Sequence, residues 1–434
     1  MNQNLTIVFL GLLVFAAHLF SEIFSRKRIP DVLLLMVIGL VIGPVLHWVN
    51  PDMLGSTGNI FTTITLVILL FESGTQLNFE TLMKSIRGTM KLTSINFFFT
   101  MIVVAVLGML LARLDIWSSL MLGAILGGTS SAIIIPMVSQ LKISSKGGTI
   151  LILESAFSDV LCIVFALALL QVVESGSMHL GTVLGKVLYS FIIAAFIGIV
   201  SAILWSYVLD KVRHVKNSIL TTPAFVFIVY GISEWLGASG AIASLAFGIA
   251  MANIDRIYTR FLKKMLKTEP TKLNDTEQQL FSEVVFLLKT FFFVYIGISI
   301  QINHIWPILI GLIITIVLFA LRIPVVQISI WKKDDLSPED KAYMASMVPK
   351  GLAAAVLATI PAQADVPGGE IIQNIVFAVI LISIIFTSIM VPIMERENAI
   401  SRFYQNRFTR KERYPEERNE GRFGGKLEKN IDTD

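Results

Sequence analysis

Residues 147–173 read GGTILILESAFSDVLCIVFALALLQVV, an apolar stretch long enough to cross a bilayer, interrupted by Glu154, Ser155, Ser158 and Asp159. Spacing of i, i+1, i+4 and i+5 puts these four polar groups on one face of a helix. That face cannot point at lipid, because a charged side chain at the bilayer centre costs roughly 3 kcal/mol or more. Asp159 lies about twelve residues, roughly 18 Å at helical rise, from one end of the span and so close to the midplane.

The surrounding chain repeats the apolar pattern. Its 434 residues are 55% hydrophobic and 15% charged, with a mean hydropathy of +0.75, too apolar for a soluble surface around one core. Thirteen membrane spans follow from the hydropathy pattern, near 5–24, 30–47, 58–75, 88–112, 117–141, 147–173, 180–209, 219–236, 239–255, 277–301, 305–331, 338–362 and 370–394. Charge placement tests that number. Alternate loops hold twenty Lys or Arg, among them Arg26, Lys27, Arg28, Lys142, Lys216, Arg260, Lys263, Lys264, Lys267, Lys332 and Lys333, whereas the remaining loops hold only Arg113. Basic loops face the cytoplasm, so the N-terminus is expected outside, the C-terminus inside and the protein in a cell (inner or plasma) membrane. The first span lacks a basic leader region and reads as a retained helix. Cys162 is the only cysteine, which excludes an intrachain disulfide and a thiolate metal cluster. Residues 396–434 turn polar and read as a cytoplasmic tail. Basic loops facing anionic lipid account for the sequence pI near 9.0, so no nucleic acid is implied.

Two spans carry helix-weakening sequence at mid-depth: Gly127-Gly128-Thr129-Ser130-Ser131 with Pro136 in the fifth, and Pro349-Lys350-Gly351 in the twelfth. Unwound backbone survives at membrane depth only where it is buried or lines a polar cavity, and there it can coordinate an ion. The two spans run in opposite directions, seven apart, which predicts an inverted repeat of spans one to six and eight to thirteen. Glu154 and Arg322 have matching depths and are expected to pair. Lys350 suits either the negative ends of the broken helices or a direct role in transport, and the two are compatible. Lys289, near Glu283, and Glu72 read as a funnel lining or a local pair, Cys162 as packing, and His18 as an interhelical hydrogen bond. Gly237-Ala238-Ser239-Gly240 matches the Gly-x-Ser-Gly pattern of intramembrane serine proteases, without a convincing catalytic histidine.

Taken together these residues resemble the cation/proton antiporters, specifically the NhaP-type branch that includes the animal sodium/proton exchangers. Glu154-Ser155-Ala156-Phe157-Ser158-Asp159 is similar to that family's Glu-Ser-x-x-Asn-Asp ion-site motif, Thr129-Ser130-Ser131 to its unwound segment, Lys350-Gly351-Leu352-Ala353-Ala354 to its basic-Gly motif, and Arg322 to the arginine that pairs with the motif glutamate. The resemblance implies an all-α polytopic fold with inverted repeats and two crossed, unwound helices. It implies ion binding by Asp159, Ser155, Ser158, Thr129 and Ser130, with Asp159, Ser155 and Thr129 as ligands of the monovalent cation, and a site organised by Glu154, Arg322 and Lys350. It also implies a transmembrane unit over 1–395, with a core bundle at 88–173 and 305–394, scaffold and dimerisation helices at 5–75 and 219–301, and a linker helix at 180–209. The expected activity is secondary exchange of Na⁺, or K⁺ or Li⁺, for H⁺ by a homodimer, with no cofactor and no enzymatic step. Ser158 stands where electrogenic relatives have a second aspartate, so one-for-one electroneutral exchange is expected; Lys350 stands where this branch typically has arginine. A potassium efflux transporter and a cation channel are the alternatives within transport.

Overall fold

The computed structural model describes residues 8, 11–20, 22, 30–49, 55–75, 79–138, 140–141, 143–175, 180–213, 220–257, 270–302, 304–330, 336–395 and 399–408. Among the described residues the regular elements are helices. They are α1 (Gly11–Phe20), α2 (Asp31–Leu40, continued by a π-helical turn, Val41–Val45), α3 (Gly55–Thr75), α4 (Phe79–Leu111), α5 (Ile116–Ile125), α6 (Ser131–Val138), α7 (Ser145–Ser175), α8 (Leu180–Arg213), α9 (Thr221–Trp235), α10 (Gly240–Ala252), the single turn α11 (Ile254–Ile257), α12 (Asp275–Ser299), α13 (Ile305–Ser329), α14 (Pro338–Ser346), α15 (Leu352–Gln363), α16 (Gly369–Glu395) and α17 (Ala399–Phe408). With α5 and α6 read as one broken passage and α14 and α15 as another, the thirteen expected spans are present.

Local chemistry sets the helix starts. Asp115 accepts the N–H groups of Trp117 and Ser118 and opens α5, while Asn274 and Glu277 form a reciprocal capping box at α12. Ser337 accepts the N–H of Asp340 just ahead of Pro338 at the first position of α14. Each cap falls where an apolar passage begins, so chain polarity and helix ends agree.

The helices sort into two packed groups. α2, α3, α8, α9, α10 and α12 pack on one another, and α4, α5, α7 and α13 to α16 form the second set; the seam between the sets is lighter, with α15 resting on α3 and α7 on α8. The seventh span, read as a linker, lies along α10 and so sides with the first set. At the crossing of α2 and α12 the backbones touch: a Cβ on Gly297 would lie 2.2 Å from the Met36 carbonyl oxygen, and one on Gly39 would lie 2.1 Å from that of Val294. Close backbone approach of this kind holds helices together where lipid offers no hydrophobic drive.

Some details differ from the sequence reading. α4 begins at Phe79, well before its apolar run at 88, because hydropathy marks the part of a helix in lipid and not the helix itself. The His18 hydrogen bond is not interhelical: its Nδ1 lies 2.9 Å from the Val14 carbonyl of its own helix, and what the ring makes across to α12 is an edge-to-face contact with Phe286. The nearest acceptor on a helix is the carbonyl four residues back. Within the polar tail, α17 folds against α14 and α16, with Tyr404 and Phe408 packed on a cluster that includes Tyr343 and Met394. The basic residues Arg26, Lys27, Arg28, Lys142, Lys216, Arg260, Lys263, Lys264, Lys267, Lys332 and Lys333, and the chain from 409 onward, lie outside the described residues.

Replacing Gly297 by Val forces α2 and α12 apart and is expected to destabilise the protein by about 1–3 kcal/mol. A drop of several degrees in the melting temperature of the detergent-purified protein checks this; an unchanged melt contradicts the crossing.

Candidate functional site

The site is built where the two broken passages cross. Residues 126–130 between α5 and α6 and residues 347–351 between α14 and α15 leave the helical path, freeing backbone groups that each require a partner. They find partners in each other. The Ser130 N–H donates to the Pro349 carbonyl at 2.8 Å, and Lys350 Nζ donates to the Gly128 carbonyl at 2.7 Å. The Thr129 N–H donates to Ser158 Oγ on α7 (3.1 Å), and the Lys350 N–H to Ser383 Oγ on α16 (3.0 Å). Gly351 is required here, since a Cβ would stand 2.0 Å from Ser130 Oγ.

Helix ends explain where the positive charges lie. α5 and α14 end at the crossing with their carbonyls, the negative pole of a helix, whereas α6 and α15 begin there with their N–H groups. Lys350 neutralises the α5 end through Gly128. Arg322, on α13, does the same at α14 by donating its Nε–H to the Met344 carbonyl at 3.0 Å. Its remaining nitrogens make a fork to Glu154 of α7, 2.5 Å to each carboxylate oxygen, and both side chains are fully buried. The pair therefore locks α7, α13 and α14 together. Asp340 adds a tie at the end of the same set, accepting the Ser144 N–H (2.9 Å) and hydroxyl (2.7 Å).

Asp159 sits near the middle of α7 and is treated differently. Its carboxylate accepts a 3.2 Å hydrogen bond from Ser131 Oγ, and among the described residues it makes no ion pair. It faces a cavity of 270 Å³ at the seam between the two helix sets, walled by Ser130, Ser131, Asp159 and Leu352 on one side and by Glu72, Ser73 and Lys289 on the other. Two hydroxyl oxygens of the broken passage, Thr129 Oγ1 and Ser130 Oγ, are buried with no hydrogen-bond partner in the protein. A second cavity of 430 Å³ shares Glu72 with the first and reaches Lys272 and Gln278 near the start of α12.

Of the residues singled out in the sequence, Asp159 and Ser130 line the cavity. Thr129, Ser155 and Ser158 are buried just behind it, with the Ser155 hydroxyl donating to the Ile152 carbonyl and the Ser158 hydroxyl to that of Ser155. Glu154, Arg322 and Lys350 are engaged as described. Lys289 and Glu72 do line the funnel, but the partner of Lys289 is Asp31 at 3.2 Å. Cys162 is buried packing against the break at Gly128. Ser239 is an N-cap, its hydroxyl accepting the Ile242 N–H at the start of α10, which ends its reading as a nucleophile. Ser131, quoted with the unwound segment but not among the expected ion-site residues, is the one that donates to Asp159, from the first position of α6.

Comparison with known proteins bears on the family and the fold. A family model described as the transmembrane sodium/hydrogen exchanger matches residues 9–396. A K(+)/H(+) antiporter NhaP2 of Shewanella sp. (strain ANA-3) is 22% identical over 391 residues, covering 86% of this chain and 64% of that protein, so the chain spans less than two thirds of the length of that relative. A Na(+)/H(+) antiporter 1 of Methanocaldococcus jannaschii is 28% identical over 166 residues, 38% of this chain and 39% of the other. The structure of the sodium proton antiporter MjNhaP1 from M. jannaschii at pH 8 superposes with a TM-score of 0.69 at 21% identity, covering 91% of this chain and 98% of that one.

Removing one member of a buried ion pair strands the other charge, so Arg322→Ala is expected to cost about 3–5 kcal/mol. Folded yield and thermal melts of Arg322→Ala, Glu154→Ala and the double variant check this: each single is expected to be worse than the double. Additive losses contradict a mutual pair.

Proposed function

The chain belongs to the sodium/hydrogen exchanger family, and from that premise we propose that it is a secondary transporter exchanging a monovalent cation, Na⁺ in the first place, for H⁺ at Asp159. The reading is carried by the contrast between two carboxylates on one helix. Glu154 is committed to Arg322, whereas Asp159 faces a cavity with a single hydroxyl donor. A bare charge at that depth is costly, so the carboxylate is occupied either by a proton or by a metal ion, and one group cannot hold both.

Dehydrated Na⁺ is satisfied by hard oxygen ligands. Asp159, Ser130 and the carbonyls of the broken segments supply them in this reading, with Thr129, Ser155 and Ser158 as the second rank that reorients on binding. The unpartnered hydroxyls of Thr129 and Ser130 support a polar occupant there. Lys350 stays with Gly128 and takes no part in the charge count, and Ser158 offers no second acid, which supports one-for-one electroneutral exchange. The NhaP2 relative is named for K⁺ and the M. jannaschii protein for Na⁺. K⁺ is therefore the second reading of the substrate.

Access alternates, in this reading, by movement of the set containing α4 to α7 and α13 to α16 against the set containing α2, α3, α8 to α10 and α12, since the cavity lies on their seam. The second cavity reaches Lys272, on the side that the basic loops assign to the cytoplasm, which supports access to Asp159 from the inside in this reading. A cell-membrane location, cytoplasmic basic loops and a homodimer through the set that contains α2, α3, α9, α10 and α12 complete the proposal.

In proteoliposomes the apparent KM for Na⁺ is expected to rise with proton concentration on the acid side, approaching about tenfold per pH unit for strict competition at one site, with the maximal rate little changed. Asp159→Asn is expected to abolish exchange, and the intact protein to give no net current on a supported membrane. Exchange by Asp159→Asn, or cation flux without counter-moving protons, contradicts the proposal.

A further inference from the structure

A cavity that admits a cation has a lysine on its wall. Lys289, on α12, lines the 270 Å³ cavity together with Glu72, on the side opposite Asp159. A fixed positive charge there repels any entering metal ion, and Coulomb repulsion across a cavity of this size is a matter of several-fold in affinity or more. Asp31 answers that charge. It is the first residue of α2, buried, with Oδ2 at 3.2 Å from Lys289 Nζ and Oδ1 accepting the Val32 N–H at 2.9 Å. It is not among the residues lining the cavity. The pair thus draws the lysine charge toward the α2 start, away from the space the ion occupies.

The register that brings them together comes from the backbone contact of Gly39 with Gly297. α2 is held against α12 at van der Waals distance along its length, so residue 31 falls beside residue 289. Both partners belong to the helix set opposite Asp159, and their contact does not depend on how the two sets are placed.

We infer that the Asp31–Lys289 pair is an affinity-determining element of the cavity: Asp31 neutralises Lys289, so that a cation approaching Asp159 does not meet an uncompensated ammonium. Lys289 then sets how tightly a cation is held. A proton and a metal ion bring the same charge to Asp159 and feel the wall charge alike, so its effect on metal affinity is read on the alkaline side, where protons do not compete. The inference rests on the cation-exchange reading of this cavity.

The test is the apparent KM for Na⁺ in proteoliposomes at alkaline pH, where lowering the proton concentration further no longer changes it, with folding checked by thermal melts. Asp31→Asn is expected to raise KM about fivefold or more, equivalent to about 1 kcal/mol, with kcat within about twofold. Adding Lys289→Gln to it is expected to return KM to the wild-type value or below. The charge-swapped pair Asp31→Lys with Lys289→Asp keeps the bridge while placing the acid on the wall, and is expected to lower KM. A KM that stays high in the double variant means the α2 start was merely disturbed, and overturns the inference. So does an unchanged KM in the swap, which decides the matter if Asp31→Asn does not fold. Asp159→Asn in the same vesicles separates the two levels: persistent exchange there removes the underlying reading, whereas loss of exchange with no KM effect at Asp31 removes this inference alone.

Discussion

Breaking a transmembrane helix at mid-depth frees N–H and C=O groups where no water is at hand, and each such group left alone costs several kcal/mol. This protein breaks two passages at one point and lets each repair the other. The Ser130 N–H donates to the Pro349 carbonyl, Lys350 reaches the Gly128 carbonyl, and serines on two neighbouring helices, Ser158 and Ser383, accept the N–H groups of Thr129 and Lys350. The crossing is close enough that Gly351 has no room for a Cβ beside Ser130. Neither broken passage has a satisfied backbone without the other, and every feature of the site is positioned from that contact.

Charge is distributed around the crossing with the same economy. Lys350 and Arg322 neutralise the carbonyl ends of α5 and α14, and Arg322 is held in turn by Glu154, so these three ionisable groups have their electrostatic demands met inside the protein. Asp159 does not. It is set one helical turn and a little more from Glu154 on the same helix, yet it opens onto the seam between two packed groups of helices. An acid whose neutralisation is left to whatever enters from the cavity suits the proposed role as a binding site for mobile cations, and its place on a seam suits the proposed alternation of access.

Much of this was legible in the chain because the penalties involved are large. The number of passages, the two breaks, the depth of Asp159 and the match of Glu154 with Arg322 all follow from what lipid does not tolerate. Features that cost little to place elsewhere were harder to read. Ser131 and not Ser155 donates to Asp159, a choice made by the path of the backbone through the break. Lys289 pairs with Asp31 and not with the nearer Glu283, because a glycine contact elsewhere sets the register of two helices. α17 is a short amphipathic helix in a polar, charge-rich stretch, where neither hydropathy nor length announces it.

Proton and metal ion are proposed to occupy one carboxylate in turn, and proton release on cation binding checks this without any assumption about access or rate. With the purified protein, titration with Na⁺ by calorimetry in buffers of different ionisation enthalpy counts protons released per ion bound. The expected count approaches about one at acid pH, falls as the pH rises and vanishes in Asp159→Asn. Saturable Na⁺ binding with no proton release at any pH, or release that survives Asp159→Asn, would contradict it.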